Sequence, residues 1–185
     1  MPEAVVDVAA ELRRRLPDVG VLRLHKLLYL AQGHHLAHVD RPLFSEPISA
    51  WDNGPVVGQL WHDERPTGTP RPGHPIADEA ALNTIGLVVS HYGHLTGREL
   101  VDLTHAQQPW RAADRNREPG HSTRIEPRSI RAYFRQAAEE DARETGELSL
   151  PPTSQPRLPV RVRPDAALAP DSRAEIENRL RRRAS

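Results

Sequence analysis

Residues 25–61 read HKLLYLAQGHHLAHVDRPLFSEPISAWDNGPVVGQLW, and the change of character halfway along this stretch decides the fold. Its first part continues from Leu22, with apolar residues at Leu24, Leu27, Leu28, Ala31, Leu36 and Val39. That spacing predicts a buried helix interrupted only by Gly33 and ended by Asp40, Arg41 and Pro42. Pro47 and the Asn53-Gly54-Pro55 cluster do not fit inside a helix. Ile48, Ala50 and Trp51 suit a short strand at 47–52, followed by a tight turn. Pro55 is expected at the first position of a short helix carrying Val56, Val57, Leu60 and Trp61, because a missing N–H is harmless there.

The same periodicity extends on both sides. Residues 3–16 place Val5, Val6, Ala9, Leu12 and Leu16 on one helical face, and Pro17 stops the run. Residues 65–75, with four prolines and two glycines, read as an exposed loop. Asp78 is a candidate N-cap for a helix carrying Leu82, Ile85, Val88, Val89 and Tyr92 and ending near Gly93. Thr96 followed by Glu99 is a capping-box pattern that opens a helix through Leu100, Leu103 and Thr104. After a polar stretch at 114–124, Ile125 is placed in a short strand, and Pro127 opens a last helix with Ile130, Tyr133 and Phe134 inward. The fold class is therefore mainly α (α+β): a compact helical domain over 1–147 with a small short-strand element, followed by a Pro/Arg-rich tail.

Composition sets the outer limits. The 185 residues allow one ordinary domain plus an extension, and 18 prolines with 37% hydrophobic content predict that part of the chain is extended or disordered. That part is 148–185. Six prolines defeat helix and central strand there, and Ser172 with Glu175 caps a short basic helix that ends Arg181-Arg182-Arg183. Lys plus Arg equals Asp plus Glu, at 25 each, so no global charge argues for a nucleic-acid or membrane partner. Without cysteine, disulfides, thiolate catalysis and the usual structural zinc cages are excluded. Acidic residues at Glu3, Asp7 and Glu11 do not suit a signal peptide, and the stretch from Leu82 to Leu95 falls short of a membrane span. The expected location is the cytoplasm.

Few residue patterns point to chemistry. His34, His35 and His38 put two imidazoles four residues apart on a helix, a spacing able to chelate zinc. The glutamate that a metalloprotease helix needs beside the first histidine is not there, and packed or hydrogen-bonded rings at a helix surface account for the cluster better. No nucleophile elbow surrounds Ser45, Ser49 or Ser90, and no phosphate-cradling glycine loop occurs. The arginine-rich end lacks aromatic residues for base stacking and reads as a solvated tail. No catalytic residue, metal site or cofactor is assigned. What stands out is a row at three-residue steps, Lys26, Tyr29, Gln32 and His35, within an otherwise apolar helix. With Trp51, His105 and Trp110 it either borders a common pocket or interaction face, or forms a polar network that satisfies the strand-turn.

These residues also carry a resemblance. Lys26 through Gly33, His35, Pro42 to Phe44, Glu46 to Ile48, Ala50 with Trp51, and Gly54-Pro55-Val56 follow in order and spacing the opening motif of the Panacea domain, the SocA-like antitoxin family. A second block, Leu100, Leu103, Thr104, His105, Pro109 and Trp110, resembles the family's later motif, and Ile125, Ile130, Tyr133 and Phe134 fit its close. The resemblance spans roughly residues 5–137. It implies a mainly helical domain with a small strand element, no catalytic residues, and neutralisation of a cognate protein toxin encoded nearby, with a cellular protease as a further partner where a member acts as an adaptor. His34 stands where an aromatic is often found, and the tail is not part of the motif. The alternative is a phage-related or regulatory interaction module with a nucleic-acid-contacting basic tail; a metal-dependent enzyme built on the histidine cluster is the third reading.

Overall fold

One helix organises the molecule, because it is buried on every side. In the computed structural model, which describes residues 1–65 and 68–145, α2 (Val21–Val39) is buried without a break from Leu24 to Leu36. A helix surrounded by neighbours needs no polar face over its buried length, so its sequence has little amphipathic contrast. The other elements are α1 (Val5–Arg15), β1 (Ile48–Trp51), β2 (Gly54–Val57), α3 (Gly58–Glu64), α4 (Glu79–Tyr92), α5 (Gly97–Ala106), α6 (Gln108–Asp114), β3 (Thr123–Arg124) and α7 (Pro127–Thr145). Of these, α1, α4, α5, α7 and β2 pack directly on α2. Side chains from Val5 to Phe134 join in a single core cluster.

Gly33 lies where α2 meets the Phe134 ring of α7. A β-carbon there would run into the ring of Phe134 on α7, so glycine lets the two helices meet. The Phe134 ring also packs edge-on against Tyr29, with centroids 5.8 Å apart. Helix ends follow the sequence expectation. Asp78 accepts a hydrogen bond from Ala80 N, and Thr96 with Glu99 makes both halves of a capping box. Asp40 ends α2 in the left-handed region, at φ 62°, with its carboxylate paired to Arg131 of α7.

The strands form an antiparallel sheet in the order β2-β1-β3. Two strand expectations need correction. Pro55 does not open a helix: it lies in β2, opposite Ala50, and α3 begins at Gly58. β2 is an edge strand, where a missing N–H is tolerated, and all four of its residues are buried, so no alternation distinguished Val56 and Val57 from a helical start. The last strand is Thr123–Arg124 and not Ile125, although Ile125 is buried and its N–H still bonds Ile48 O. The sequence reading also has no counterpart for α6, whose first turn contains Pro109. The linker and terminal helix expected in 148–185 lie outside the described residues.

Candidate functional site

The hairpin between β1 and β2 turns through Asp52 and Asn53, and Gly54 leaves the turn at φ 97°, a conformation that disfavours other residues. Its missing side chain makes room for Lys26, since a β-carbon at Gly54 would sit 2.7 Å from Lys26 Cε and 3.1 Å from Thr104 Oγ1. Lys26 has no exposed surface, and its Nζ donates to Pro55 O at 3.1 Å. Burial lowers its pKa from 10.5 to about 7, because desolvation penalises the ammonium. Beside it, His25 Nδ1 accepts from Val57 N at 3.3 Å, so its proton resides on Nε2. Burial, followed by the charges of Lys26 and Arg13, holds that ring at a pKa of about 3.

The other members of the polar row diverge. At about 100° per residue, the nine residues from Lys26 to His35 carry the side chain halfway around α2. Lys26 meets the hairpin, Tyr29 meets Phe134 on α7, Gln32 meets the loop after α2, and His35 meets α4. Gln32 clamps that loop with three hydrogen bonds: Oε1 accepts from Leu43 N and Phe44 N, and Nε2 donates to Phe44 O. His35 Nδ1 lies 2.9 Å from Thr84 Oγ1, and since Thr84 already donates to Ala80 O, the ring supplies the proton between them.

Trp51 and Trp110 stand on two sides of the hairpin site. Trp51 packs edge-on against Trp61 at 5.3 Å, and with His25 and Lys26 these rings line a cavity of about 30 Å³. Its volume is on the scale of one or two water molecules. Trp110, at the start of α6, stacks face to face on His105 of α5, with centroids 3.7 Å apart and planes 11° from parallel. Burial and the nearby Lys26 charge lower the pKa of His105. The structure therefore brings Lys26, Gly54 and Pro55 together, sets Trp51 against the same lysine, and places His105 and Trp110 on a separate groove with Arg111 and Arg115. His25, Trp61, Thr104 and Gly33 complete these contacts and were not singled out as site residues. Gly33 and Thr104 belong to the two motif blocks and His25 and Trp61 bound the stretch 25–61, which was the available signal.

The three clustered histidines also part company. His34 Nε2 meets Tyr92 OH at 3.1 Å, His35 meets Thr84, and His38 Nδ1 donates to His34 O. His34 and His35 are core residues, not helix-surface rings as expected. Among the described residues, no group of three or more His, Asp or Glu is arranged to hold a metal ion. No helix among them is long and apolar enough to cross a membrane.

A buried lysine bonded to a hairpin carbonyl, a loop clamped by glutamine and a threonine against a helix carbonyl all fall within one matched segment. Residues 24–111 match the family model of the antitoxin SocA-like Panacea domain. This segment is similar to the Panacea domain. No curated protein matches the chain, and no solved structure does. The Panacea match runs from the first turn of α2 into α6, while α1 and α7 lie outside it and both pack on α2. Glu46, within the matched segment, ties α1 to it by accepting from Val5 N at the start of that helix. Arg13 of α1 makes a bidentate pair with Glu64 of α3, at 2.7 and 2.9 Å.

Proposed function

We propose that this chain is a cytoplasmic antitoxin that neutralises a cognate protein toxin, encoded beside it, by direct stoichiometric binding. The observation that carries the reading is the match of residues 24–111 to an antitoxin family. The inward orientation of the motif supports it. Lys26, Gln32 and His35 are buried and hold backbone or a neighbouring helix, so these residues serve the scaffold and leave the outer faces of the helices to choose a partner. Partner choice then varies on a fixed frame, as occupancy of a protein surface requires only a complementary patch of about 1,200–2,000 Å² with a few dominant anchors.

Induced expression of the neighbouring gene alone is expected to arrest growth, and co-expression of this chain to restore it. A neighbouring product without toxicity, or toxicity that this chain leaves untouched, contradicts the reading.

A further inference from the structure

Arginine is distributed unevenly between paired and unpaired states. Across most of the described residues each guanidinium meets a carboxylate, as in Arg13 with Glu64 and Arg117 with Asp52, or else a backbone carbonyl or an indole ring, as Arg23 and Arg65 do. The side chains of Arg111, Arg115, Arg124 and Arg128 are exposed and have no such partner among the described residues. They fall on three elements, α6, β3 and the first turn of α7; α6 packs on both of the others, and Ser129 Oγ of α7 donates to Gln108 Oε1 of α6 at 3.3 Å. In a chain whose formal charges cancel, four unpaired guanidiniums on one surface form a local positive field.

The surface has relief as well as charge. A groove of about 490 Å³ on one flank of α6 is lined by His105, Trp110, Arg111 and Arg115. A second, of about 320 Å³, lies on the other flank beside Pro109 and Arg124, and Ala112 forms the ridge between them. Trp110 and His105 each keep a buried ring nitrogen with no hydrogen-bond partner among the described residues. A small apolar ridge between two concavities, ringed by arginine, has the make-up of an anchor region.

We propose that α6 and its two flanking grooves form the docking face of this chain, and that the occupant is a carboxylate-rich patch on the surface of a partner protein. This rests on the antitoxin reading and names the partner's chemistry. Guanidinium groups pair bidentately with carboxylates, and four unpaired ones call for acidic side chains at matching positions. A protein fits better than a nucleic acid. Sequence-tolerant nucleic-acid binding adds base stacking to phosphate contacts, and Trp110, 8% exposed, offers no free ring face for stacking bases.

The test uses the full chain in the co-expression assay with the neighbouring gene, together with binding of the two purified proteins at rising salt. Reversing all four charges (R111E, R115E, R124E, R128E) is expected to weaken binding by at least about 100-fold and abolish rescue. The four-fold glutamine variant should weaken it less, and Arg143→Glu, at the far end of α7, should leave it unchanged. Thermal unfolding of each variant reports folding, and the glutamine variant decides the matter if the reversal unfolds the chain. Rescue by wild type and by the glutamine and reversed variants alike overturns the docking face while the antitoxin reading stands. Failure of wild type to rescue overturns both. A wild-type gel shift of duplex DNA or RNA at physiological salt, lost on reversal, assigns the face to nucleic acid and overturns the proposal.

Discussion

Lys26 is the residue on which most of the site converges, and its chemistry is testable in isolation. Its folded pKa, about 7, lies below the unfolded value near 10.5. Between those values the unfolded chain binds a proton that the folded chain does not, so stability rises with pH across that window and falls as pH drops from 10.5 towards 7. Lys26→Met should remove this dependence. We expect the variant to unfold at higher denaturant than wild type at pH 7, with the difference shrinking or reversing near pH 10.5, where the neutral amine keeps its bond to Pro55 O. A variant less stable at pH 7 would show that the ammonium is better compensated than its surroundings indicate. Gln32→Ala leaves Leu43 N, Phe44 N and Phe44 O without their side-chain partner in a buried loop. The cost is expected to be on the order of 3 kcal/mol or more in equilibrium unfolding.

At the scale of elements, the contact between α2 and α7 depends on one missing methyl group. Gly33→Ala improves intrinsic helix propensity, yet we expect it to destabilise the protein by about 1–3 kcal/mol, because the added carbon meets the Phe134 ring. A stabilised alanine variant would mean that α7 can shift at little cost. This glycine shows where the sequence was legible and where it was not. Periodicity located α1, α2, α4, α5 and α7, since each buries a repeating set of apolar side chains. It had no means of giving the reason for Gly33, which lies a hundred residues further along at Phe134. β2 was misread because a fully buried four-residue strand has no alternation and its proline suits two local structures. The seven residues of α6 were hidden behind the end of α5. Pro109 followed by Trp110-Arg111-Ala112-Ala113 was the available sign of a new helix. Of the candidate site, the motif named Lys26, Gly54 and Pro55, which do meet. It did not give the half-turn of α2 that sends His35 to the opposite side from Lys26, nor which arginines stay unpaired, since both depend on how distant elements pack.

For the whole molecule, burial of imidazole sets the acid limit. His25 and His34 are held at about 3 and His35 at about 4, each lowered chiefly by burial. Their folded values lie below 6.5, so below that pH the unfolded chain takes up protons that the folded one refuses, and stability is lost as pH falls from about 6.5 towards 4. Near pH 5, unfolding should therefore bind about three protons through these rings, a slope of about 4 kcal/mol per pH unit. Denaturant melts at pH 5 and 7 check this, and equal midpoints would contradict it. Under the proposed reading, neutralisation by occupancy rests on a frame fixed by buried polar contacts. The most direct measurement is a titration of the purified chain into the purified product of the neighbouring gene while that product's toxic activity is followed. We expect activity to fall linearly with added chain and to vanish at a fixed molar equivalence, with a complex of that composition in solution. Complete inactivation by a small fraction of an equivalent would reveal turnover, and full activity in the presence of excess chain would reveal no neutralisation; either result would contradict antitoxin action by binding.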